Sequence, residues 1–431
     1  MKQRHNKIVI GNIRIKLSDL ILSFSKALDF INPAMMSHHI RVAIIASEIA
    51  RHYGMPHNEV ANIFVASTLH DIGAFSLKDR LTTLDFEIKN PQSHAEKGYL
   101  ILKNTGFDLL PDVAKIIRYH HMPWADGRGA YFEGEEVHIG SHIIHLSDRI
   151  EVLIDRQKYI LNQGREISDI IKAKAGSMFM PDVVKAFEEL SQKEYFWLDA
   201  ASPEVDQIIY DRNVLPDVEL NAEGLLKTAR LFSHIIDYRS RFTAVHSAGV
   251  SAVAALLAQM AGFSDLECEM MRIAGYLHDI GKLAIPSEII EKPARLSDEE
   301  FNVMKSHVYH SYRILEAISG LEIINTWASF HHERMDGGGY PFHIRGNELP
   351  IGSRIMAVAD VFTAITEDRP YRKGMSGENA LKVIEDMAKN NSLDKSIVDL
   401  ASTYFRHLDY VRIEAQLRAG EEYAAVKGLM E

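Results

Sequence analysis

Apolar residues recur at helical spacing along most of this chain. The segment HIRVAIIASEIARHYG (39–54) places them three and four residues apart and stops at a glycine, a common helix end. The same pattern predicts helices over residues 58–72, 94–104, 111–121, 137–155, 220–237, 244–261, 265–280, 298–318, 322–333, 351–366, 377–389 and 394–410. At the start, β-branched residues flank Gly11-Asn12 and predict a small hairpin over 8–15. The fold class is therefore all-α with one N-terminal β-hairpin.

Two segments interrupt the helical pattern. Proline and glycine cluster in DGGGYPFHIRGNELP (336–350), which predicts an irregular loop. The stretch AASPEVDQIIYDRNVLPD (200–217) has a proline near each end and weak periodicity, as a domain junction would. We expect two helical domains, residues 1–205 and 206–431.

One order of histidines and aspartates occurs twice in the chain. It runs single His, His-Asp, single His, His-His, single Asp, and matched positions are 208 to 213 residues apart. The C-terminal set is His246, His278, Asp279, His307, His331, His332 and Asp360. The N-terminal set is His38, His70, Asp71, His94, His120, His121 and Asp148. The flanking residues agree as well, since TLHDIG matches YLHDIG, and a tandem duplication is the simplest explanation.

These residue types favour a metal centre. Neutral imidazoles and carboxylates suit Mn, Fe, Zn and similar ions, and seven ligands exceed the four of a tetrahedral zinc site, which suggests two ions. Neighbouring helical side chains point about 100° apart, so Asp279 can bridge two ions while His278 serves one. Two ions roughly 3.5–4 Å apart are a usual arrangement for hydrolysing phosphate esters through a bridging hydroxide. Lys282 follows one turn later, where a cation would help the leaving oxygen depart.

The alternative for any one of these histidines is a buried polar residue of the core. The aspartates are harder to explain in that way. Asp279 and Asp360 lie within apolar runs, and a buried carboxylate without a partner is costly. The same holds for Asp71 and Asp148.

Composition narrows the class of protein. The 431 residues are 46% hydrophobic and 25% charged, as in ordinary globular proteins. With 59 acidic against 48 basic residues, the net charge of -11 argues against a protein that coats DNA. A small anionic substrate stays open, because bound metal ions reverse the local field. The single cysteine, Cys268, excludes a disulfide framework. With no signal peptide or membrane span in the pattern, a cytoplasmic location is expected.

Several separated motifs resemble one family. HDIGK (278–282), MKSH (304–307), HHERMDGGGYP (331–341), VAD (358–360) and DRPYRK (368–373) together resemble the HD-GYP family, a branch of the HD phosphohydrolases. The match covers about residues 220–416. The resemblance implies two tandem HD-type domains. It also implies a bacterial second-messenger phosphodiesterase that opens cyclic di-GMP or 3',3'-cyclic GMP-AMP to the linear dinucleotide.

The resemblance also implies roles for individual residues. The C-terminal set would hold two divalent ions, Fe, Mn or similar, with Asp279 as the bridge. Lys282 would contact the scissile phosphate or assist the leaving group. The substrate contacts would be Tyr340, Pro341, Arg369 and Arg372. Some members carry an acidic ligand for a third ion where this chain has Phe242, so two ions are expected.

The N-terminal half departs from the family. It keeps each ligand position but has Ala74 in place of Lys282, and HHMPWADGRGAYFEGEE (120–136) lacks the Gly-Tyr-Pro triplet. A second metal site on the N-terminal set is therefore a hypothesis. The expected role of this half is structural or regulatory, for example covering the catalytic pocket or sensing a ligand.

Other functions remain open from the sequence. An HD protein could act on another nucleotide, such as a nucleoside triphosphate or guanosine tetraphosphate, or sense a nucleotide without cleaving it. A di-iron oxygenase would use the same ligands. No DNA or membrane partner is expected. A homodimer is compatible with the sequence, although no interface is legible in it.

Overall fold

The computed structural model describes residues 13–29, 37–74, 83–86, 92–104, 110–237, 245–368 and 373–428. Helices of the N-terminal half are α1 (Leu17–Asp29), α2 (His38–Tyr53), α3 (His57–Leu69), α4 (Gln92–Asn104), α5 (Pro111–Arg118), α6 (Ile139–Leu153), α7 (Gly164–Ala173), α8 (Pro181–Ser191), α9 (Glu194–Ala201) and α10 (Val205–Arg212). Those of the C-terminal half are α11 (Ala222–Asp237), α12 (His246–Met260), α13 (Asp265–Leu277), α14 (Ser287–Ile290), α15 (Asp298–Glu316), α16 (Glu322–Ser329), α17 (Ile351–Thr366), α18 (Gly377–Lys389), α19 (Lys395–Thr403) and α20 (Phe405–Gly428).

The predicted all-α class is confirmed, and each predicted helix has an observed counterpart within a few residues at most ends. The helix predicted over 394–410 is two helices, which meet at Tyr404. The pattern missed the short helices α7 to α10, and α10 lies inside the segment interpreted as a junction. These helices are 8 to 11 residues long, and α5 and α16, at 8 residues each, were predicted, so length alone does not separate the two groups.

Strands are confined to two-residue pairs in the described part of the chain. Strand β1 (Ile15–Lys16) pairs antiparallel with β4 (Glu219–Leu220), and β2 (Tyr131–Phe132) pairs with β3 (Glu135–Glu136). Residues 8–12 of the predicted hairpin lie outside the described residues. Ile15, the last residue of that prediction, is instead opposite Leu220 of the other half.

Two helix starts carry a reciprocal serine–glutamate cap. Ser264 caps α13 and Ser297 caps α15, and in each case the glutamate three residues later bonds back to the backbone of the serine. This exchange satisfies backbone N–H groups that the first helical turn cannot pair. Both helices position residues of the candidate site, since His278 follows α13 and His307 lies within α15. Each cap therefore fixes the start of a helix that carries or precedes a candidate ligand.

The two halves pack against each other through their first helices. Helix α1 contacts α2 and α3 of its own half, and it also contacts α15 and the 3-10 turn Ile280–Ala284 of the other half. Helix α11 packs on α13 and also reaches α4 of the N-terminal half. Each half therefore contributes a helix that touches the ligand-bearing elements of the other. Among the described helices, none is both long and apolar enough to cross a membrane.

Candidate metal centre

Five elements of the C-terminal half bring the predicted ligands together. His246 begins α12, His278-Asp279 follow α13, His307 lies within α15, His331-His332 follow α16, and Asp360 lies within α17. All of these side chains are buried except that of His332, which is 30% exposed. The cluster is therefore closed on most sides and opens beside His332.

The carboxylate of Asp279 lies between two groups of histidines. Its Oδ2 is 3.8 Å from Nε2 of His246 and 3.2 Å from Nε2 of His278. Its Oδ1 is 3.3 Å from Nε2 of His307. On the first side, Asp360 adds Oδ1 at 3.2 Å from Nε2 of His246. The carboxylate therefore faces both groups, which is the geometry that a bridging ligand needs.

The hydrogen bonds of the histidines aim their lone pairs into the cluster. Nδ1 of His278, His307 and His331 donates to the backbone carbonyl three residues earlier, at 2.8, 2.6 and 2.6 Å. Because a carbonyl cannot donate, Nδ1 carries a proton, and the neutral form of each imidazole has its lone pair on Nε2. Within the described residues, these buried Nε2 atoms have no hydrogen-bond partner. Lone pairs facing carboxylate oxygens repel unless a cation lies between them, so the residues fit metal ions.

The electrostatics agree with a cation site. Burial alone would raise the pKa of Asp279, yet His278 and Lys282 lower it well below its usual value. Burial lowers the pKa of His331 far below normal, so this imidazole is neutral. Both are then in the protonation state that a metal ligand requires. Behind them, burial raises the pKa of Asp237 to about 7.

Sequence reasoning missed Glu367, which holds His246 from the far side. Both of its carboxylate oxygens lie near Nδ1 of His246, at 3.2 and 3.1 Å, and Gln416 donates to one of them at 2.7 Å. Burial opposes the charged imidazole, but Glu367 and Asp360 raise the pKa of His246 to about 10. A carboxylate on the second nitrogen orients a metal-ligating histidine and increases its basicity.

A close backbone approach explains the glycine of the His-Asp motif. A Cβ on Gly281 would lie 1.9 Å from the carbonyl oxygen of His307 and 2.4 Å from the amide nitrogen of Ser311. In addition, the hydroxyl of Ser311 donates to the carbonyl of His278 and accepts from the amide of Gly281, at 2.8 and 2.9 Å. This contact sets the distance between the His-Asp pair and α15.

Lys282 is held on the carboxylate of Asp279. Its Nζ donates to Oδ2 of Asp279 at 2.6 Å, and its side chain is 15% exposed. The ammonium group therefore lies at the boundary between the cluster and solvent. The N-terminal equivalent, Ala74, is fully buried and has no charge.

The Gly-Tyr-Pro loop is folded around another carboxylate that the sequence reasoning did not single out. Glu333 is buried and accepts from the backbone amides of Phe342, His343 and Ile344. A Cβ on Gly339 would lie 2.5 Å from the backbone of residues 332–334, so only glycine fits there. This conformation of the loop places the half-buried ring of Tyr340 4.9 Å from the ring of His332, at the open side of the C-terminal cluster. Pro341 follows in the same loop. Arg369, Arg372 and Phe242 lie outside the described residues.

The N-terminal set converges in the same way. Oδ1 of Asp71 is 3.1 Å from Nε2 of His94, and its Oδ2 is 3.6 Å from Nε2 of His70. His38 donates from Nδ1 to Glu151 at 2.6 Å, as His246 does to Glu367. Glu151 comes three residues after Asp148, whereas Glu367 comes seven after Asp360, so aligning the halves does not pair the two glutamates.

Comparison with protein-family models identifies the domain family of each half. A family model described as HD domain matches residues 35–153, and a second with the same description matches residues 230–397. The chain is a tandem HD-domain protein. Both matched regions contain their complete ligand sets, which confirms the two tandem HD-type domains recognised from the sequence. His/Asp clusters of this kind could bind metal in either half.

This HD protein is similar to characterised relatives over different lengths. It is 29% identical over 395 residues to the 3'3'-cGAMP-specific phosphodiesterase 1 of Vibrio cholerae, covering 90% of this chain and 91% of that one. It is 39% identical over 177 residues to a cyclic di-GMP phosphodiesterase of Pseudomonas aeruginosa, covering 40% and 42%. A crystal structure of a cyclic GMP-AMP-specific phosphodiesterase of V. cholerae has the same fold. That match has a TM-score of 0.61 and 24% identity, and it covers 91% of this chain and 98% of the other.

Proposed function

We propose that the protein is a metal-dependent phosphodiesterase that opens a cyclic dinucleotide to the linear dinucleotide, with its active site in the C-terminal half. The observation that carries this proposal is the arrangement at the open side of the C-terminal cluster. There, Lys282 and Tyr340 border a set of metal-ligand side chains that is otherwise buried. Relatives with phosphodiesterase names, one matched over 90% of the chain and another over 40% of it, support the substrate class.

Two divalent ions fit the C-terminal ligand set. His246, His278 and Asp360 form one group, and His307, His331 and His332 form another, with Asp279 between them. When bound, such ions supply an activated water and neutralise charge on the phosphate. The nitrogen and oxygen donors favour Mn, Fe or a similar ion, and a metal that prefers thiolate ligands is not expected.

The protein's own groups position and protonate the substrate in this proposal. The ammonium of Lys282 lies where it can stabilise the leaving oxygen and donate a proton to it. Tyr340 offers a ring face to a base or ribose, and Pro341 shapes the same wall. We assign Arg369 and Arg372 to the phosphates, because guanidinium groups bind phosphate oxygens in pairs.

The domain division 1–205 and 206–431 belongs to this proposal, with catalysis in the second domain only. The N-terminal half has no counterpart to Lys282, since the equivalent position is occupied by the buried Ala74. The acidic net charge of -11 gives no basis for DNA binding. We also propose that the protein forms a homodimer and is located in the cytoplasm.

The deciding experiment is a turnover assay of the metal-reconstituted chain with cyclic di-GMP, 3',3'-cyclic GMP-AMP and cyclic di-AMP, each with Mn or Fe(II). A linear dinucleotide from one of them supports the proposal and gives the base preference. Asp279→Ala should abolish turnover and remove most metal from the C-terminal half, whereas Asp399→Ala, an exposed partner of Lys395, should change neither. No product from any of the three, despite two bound ions, would replace this proposal with a nucleotide sensor or another phosphate substrate.

A further inference from the structure

Four ligand atoms in the N-terminal half surround one point. Atoms of Asp71, His94, His120 and His121 all lie within 4.8 Å of one another. Nε2 of His94 is 3.1 Å from Oδ1 of Asp71, 3.3 Å from Nε2 of His120 and 3.0 Å from Nε2 of His121. Ligands around a tetrahedral ion with bonds of about 2.0–2.1 Å stand roughly 3.3 Å apart. The three distances from His94 are therefore those expected around a single small ion, while Oδ1 of Asp71 and Nε2 of His120 are 3.9 Å apart and would move closer on binding it.

Nε2 of His94 lies within hydrogen-bond distance of Nε2 of both His120 and His121, and a single proton can serve only one of these two contacts. Nδ1 of His120 donates to the carbonyl of Ile117 at 2.6 Å, so its Nε2 is unprotonated and points towards Nε2 of His94. Within the described residues, neither carboxylate oxygen of Asp71 accepts a hydrogen bond, although both are buried. Buried acceptors without donors are costly, and a cation among them removes that cost.

The N-terminal cluster is closed where the C-terminal one is open. The side chain of His94 is 9% exposed, and Asp71, His120 and His121 are more deeply buried. The C-terminal counterpart of His121 is His332, whose side chain is 30% exposed. A site whose four ligands are all buried has no open position for a substrate, which is the pattern of structural metal sites.

Arg149 neutralises the carboxylate at the other end of the N-terminal set. It is fully buried, and its Nη2 donates to Oδ2 of Asp148 at 2.5 Å and to the carbonyl of Thr83 at 2.7 Å. In the C-terminal half the corresponding oxygen of Asp360 instead faces Nδ1 of His332 at 3.8 Å, and Val361 occupies the position of Arg149. The guanidinium supplies a permanent positive charge at a position where the C-terminal half has the apolar Val361.

We infer that the N-terminal half binds one divalent ion on Asp71, His94, His120 and His121 as a closed structural site, with Arg149 in place of a second ion. This inference does not depend on hydrolysis by the C-terminal half. It assigns to the N-terminal half a metal that holds α3, α4 and the end of α5 together. It also explains why these four ligand positions are kept although Lys282 has no counterpart.

Metal content tests the inference in the full chain. The variant His278→Ala/Asp279→Ala removes the C-terminal centre, so any tightly bound ion belongs to the N-terminal half. After loading with Zn or Mn and desalting, this background should retain about one ion per chain, and adding His94→Ala/His120→Ala should remove it. The matched control is His142→Ala, a buried histidine of the same half outside the four-ligand set, which should keep the ion.

Thermal unfolding separates ion loss from misfolding. The added metal should raise the melting temperature of the background and of the His142→Ala control, but not that of the variant without His94 and His120. Circular dichroism of each apo chain shows whether its helices are intact. A folded background that binds no ion, or an ion retained without His94 and His120, would overturn the inference whatever the result of the turnover assay.

The closed character of the site has its own readout. A chelator should remove the ion of the His278→Ala/Asp279→Ala background more slowly than the ions of a chain emptied in the N-terminal half by His94→Ala/His120→Ala. Arg149→Met removes the cation that faces Asp148, so this background should then retain a second ion at the group of His38, His70 and Asp71, and an unchanged ion count would show that Arg149 does not replace an ion. Equal release from the two halves of folded chains would show that the N-terminal site is open.

Discussion

The rings of Phe24 and Phe232 stack with centroids 3.9 Å apart and planes 5° from parallel. The two residues are 208 positions apart, the same spacing that separates His38 from His246. They are therefore equivalent positions of the duplicated halves, and they meet where α1 and α11 each contact the opposite half. The antiparallel pair of Ile15 and Leu220, which are 205 positions apart, adds a strand contact between the halves. The halves thus pack like the subunits of a twofold dimer fused into one chain.

The phenylalanine stack should couple the stabilities of the halves. Phe24→Ala and Phe232→Ala should each lower the free energy of unfolding by about 3–5 kcal/mol, because each leaves a cavity in a buried interface. The double variant should lose less than the sum, by about 0.5–1.5 kcal/mol, since the rings interact directly. Denaturant unfolding of the four chains measures this coupling. As a control, Phe187 packs against Phe196 within the N-terminal half, and Phe187→Ala should be additive with Phe232→Ala.

Lys282→Met should reduce turnover while leaving metal in place. The ammonium touches Asp279 from the solvent side and is not itself a ligand, so the ions should still bind. Loss of a proton donor typically costs about 10²–10⁴-fold in rate. Steady-state kinetics with metal analysis of the same preparation give both quantities, with Lys395→Met on the surface as the control. Metal loss equal to the activity loss would show that Lys282 acts through the centre's assembly.

Glu367→Gln should weaken metal binding at His246. The amide keeps a similar shape but loses the negative charge that now faces Nδ1 of His246. We expect an affinity about 10–100-fold lower at the C-terminal centre, with activity restored by excess metal. Metal titration monitored by activity measures the shift. Glu385→Gln, which affects only a partner of Ser402, should titrate like the unmodified chain. Lost activity that excess metal fails to restore would contradict a positioning role.

Gly281→Ala should disrupt the contact between the His-Asp motif and α15. The added methyl would overlap the carbonyl oxygen of His307, so backbone must move. Overpacking of this kind costs about 1–3 kcal/mol and would also displace the neighbouring ligands. The melting temperature and metal affinity should both fall. Gly420→Ala in α20 meets only Val245 at 3.6 Å and should be neutral or stabilising. A Gly281→Ala chain with unchanged metal affinity would contradict this.

Acid should destabilise the chain partly through His142. Burial lowers the pKa of His142 to about 4, while in the unfolded chain it is near 6.5. The unfolded state then binds more protons below pH 6.5, so stability is present at neutral pH and falls as the pH drops towards 4. At pH 5 this one group should cost about 1–2 kcal/mol. Measuring the free energy of unfolding of the unmodified chain and of His142→Gln between pH 7 and 5 isolates the contribution of His142. If the two chains lose stability in parallel as the pH falls, His142 makes no such contribution.

Much of the fold was predictable because it repeats locally. Helical spacing of apolar residues located helices such as α2 and α13. The short helices α7 to α10 were not predicted, although α5 and α16, which are as short, were. The order of histidines and aspartates was visible for the same reason, since the duplication repeats it.

The supporting residues of the site were not predictable in this way. Glu367 and Glu151 perform the same contact from different spacings, so alignment of the halves conceals it. Glu333 acts on the backbone of its own loop, a role that residue type alone does not indicate.

The sequence by itself determined the helical class, the duplication and the ligand positions in each half, because these depend on residue type and on spacing along the chain. Only the tertiary structure decided that the C-terminal cluster opens beside His332 while Arg149 neutralises Asp148 in the N-terminal one. The same is true of the pairing between Phe24 and Phe232. Exposure and charge neutralisation arise from contacts between residues far apart in the chain, and no local pattern encodes them.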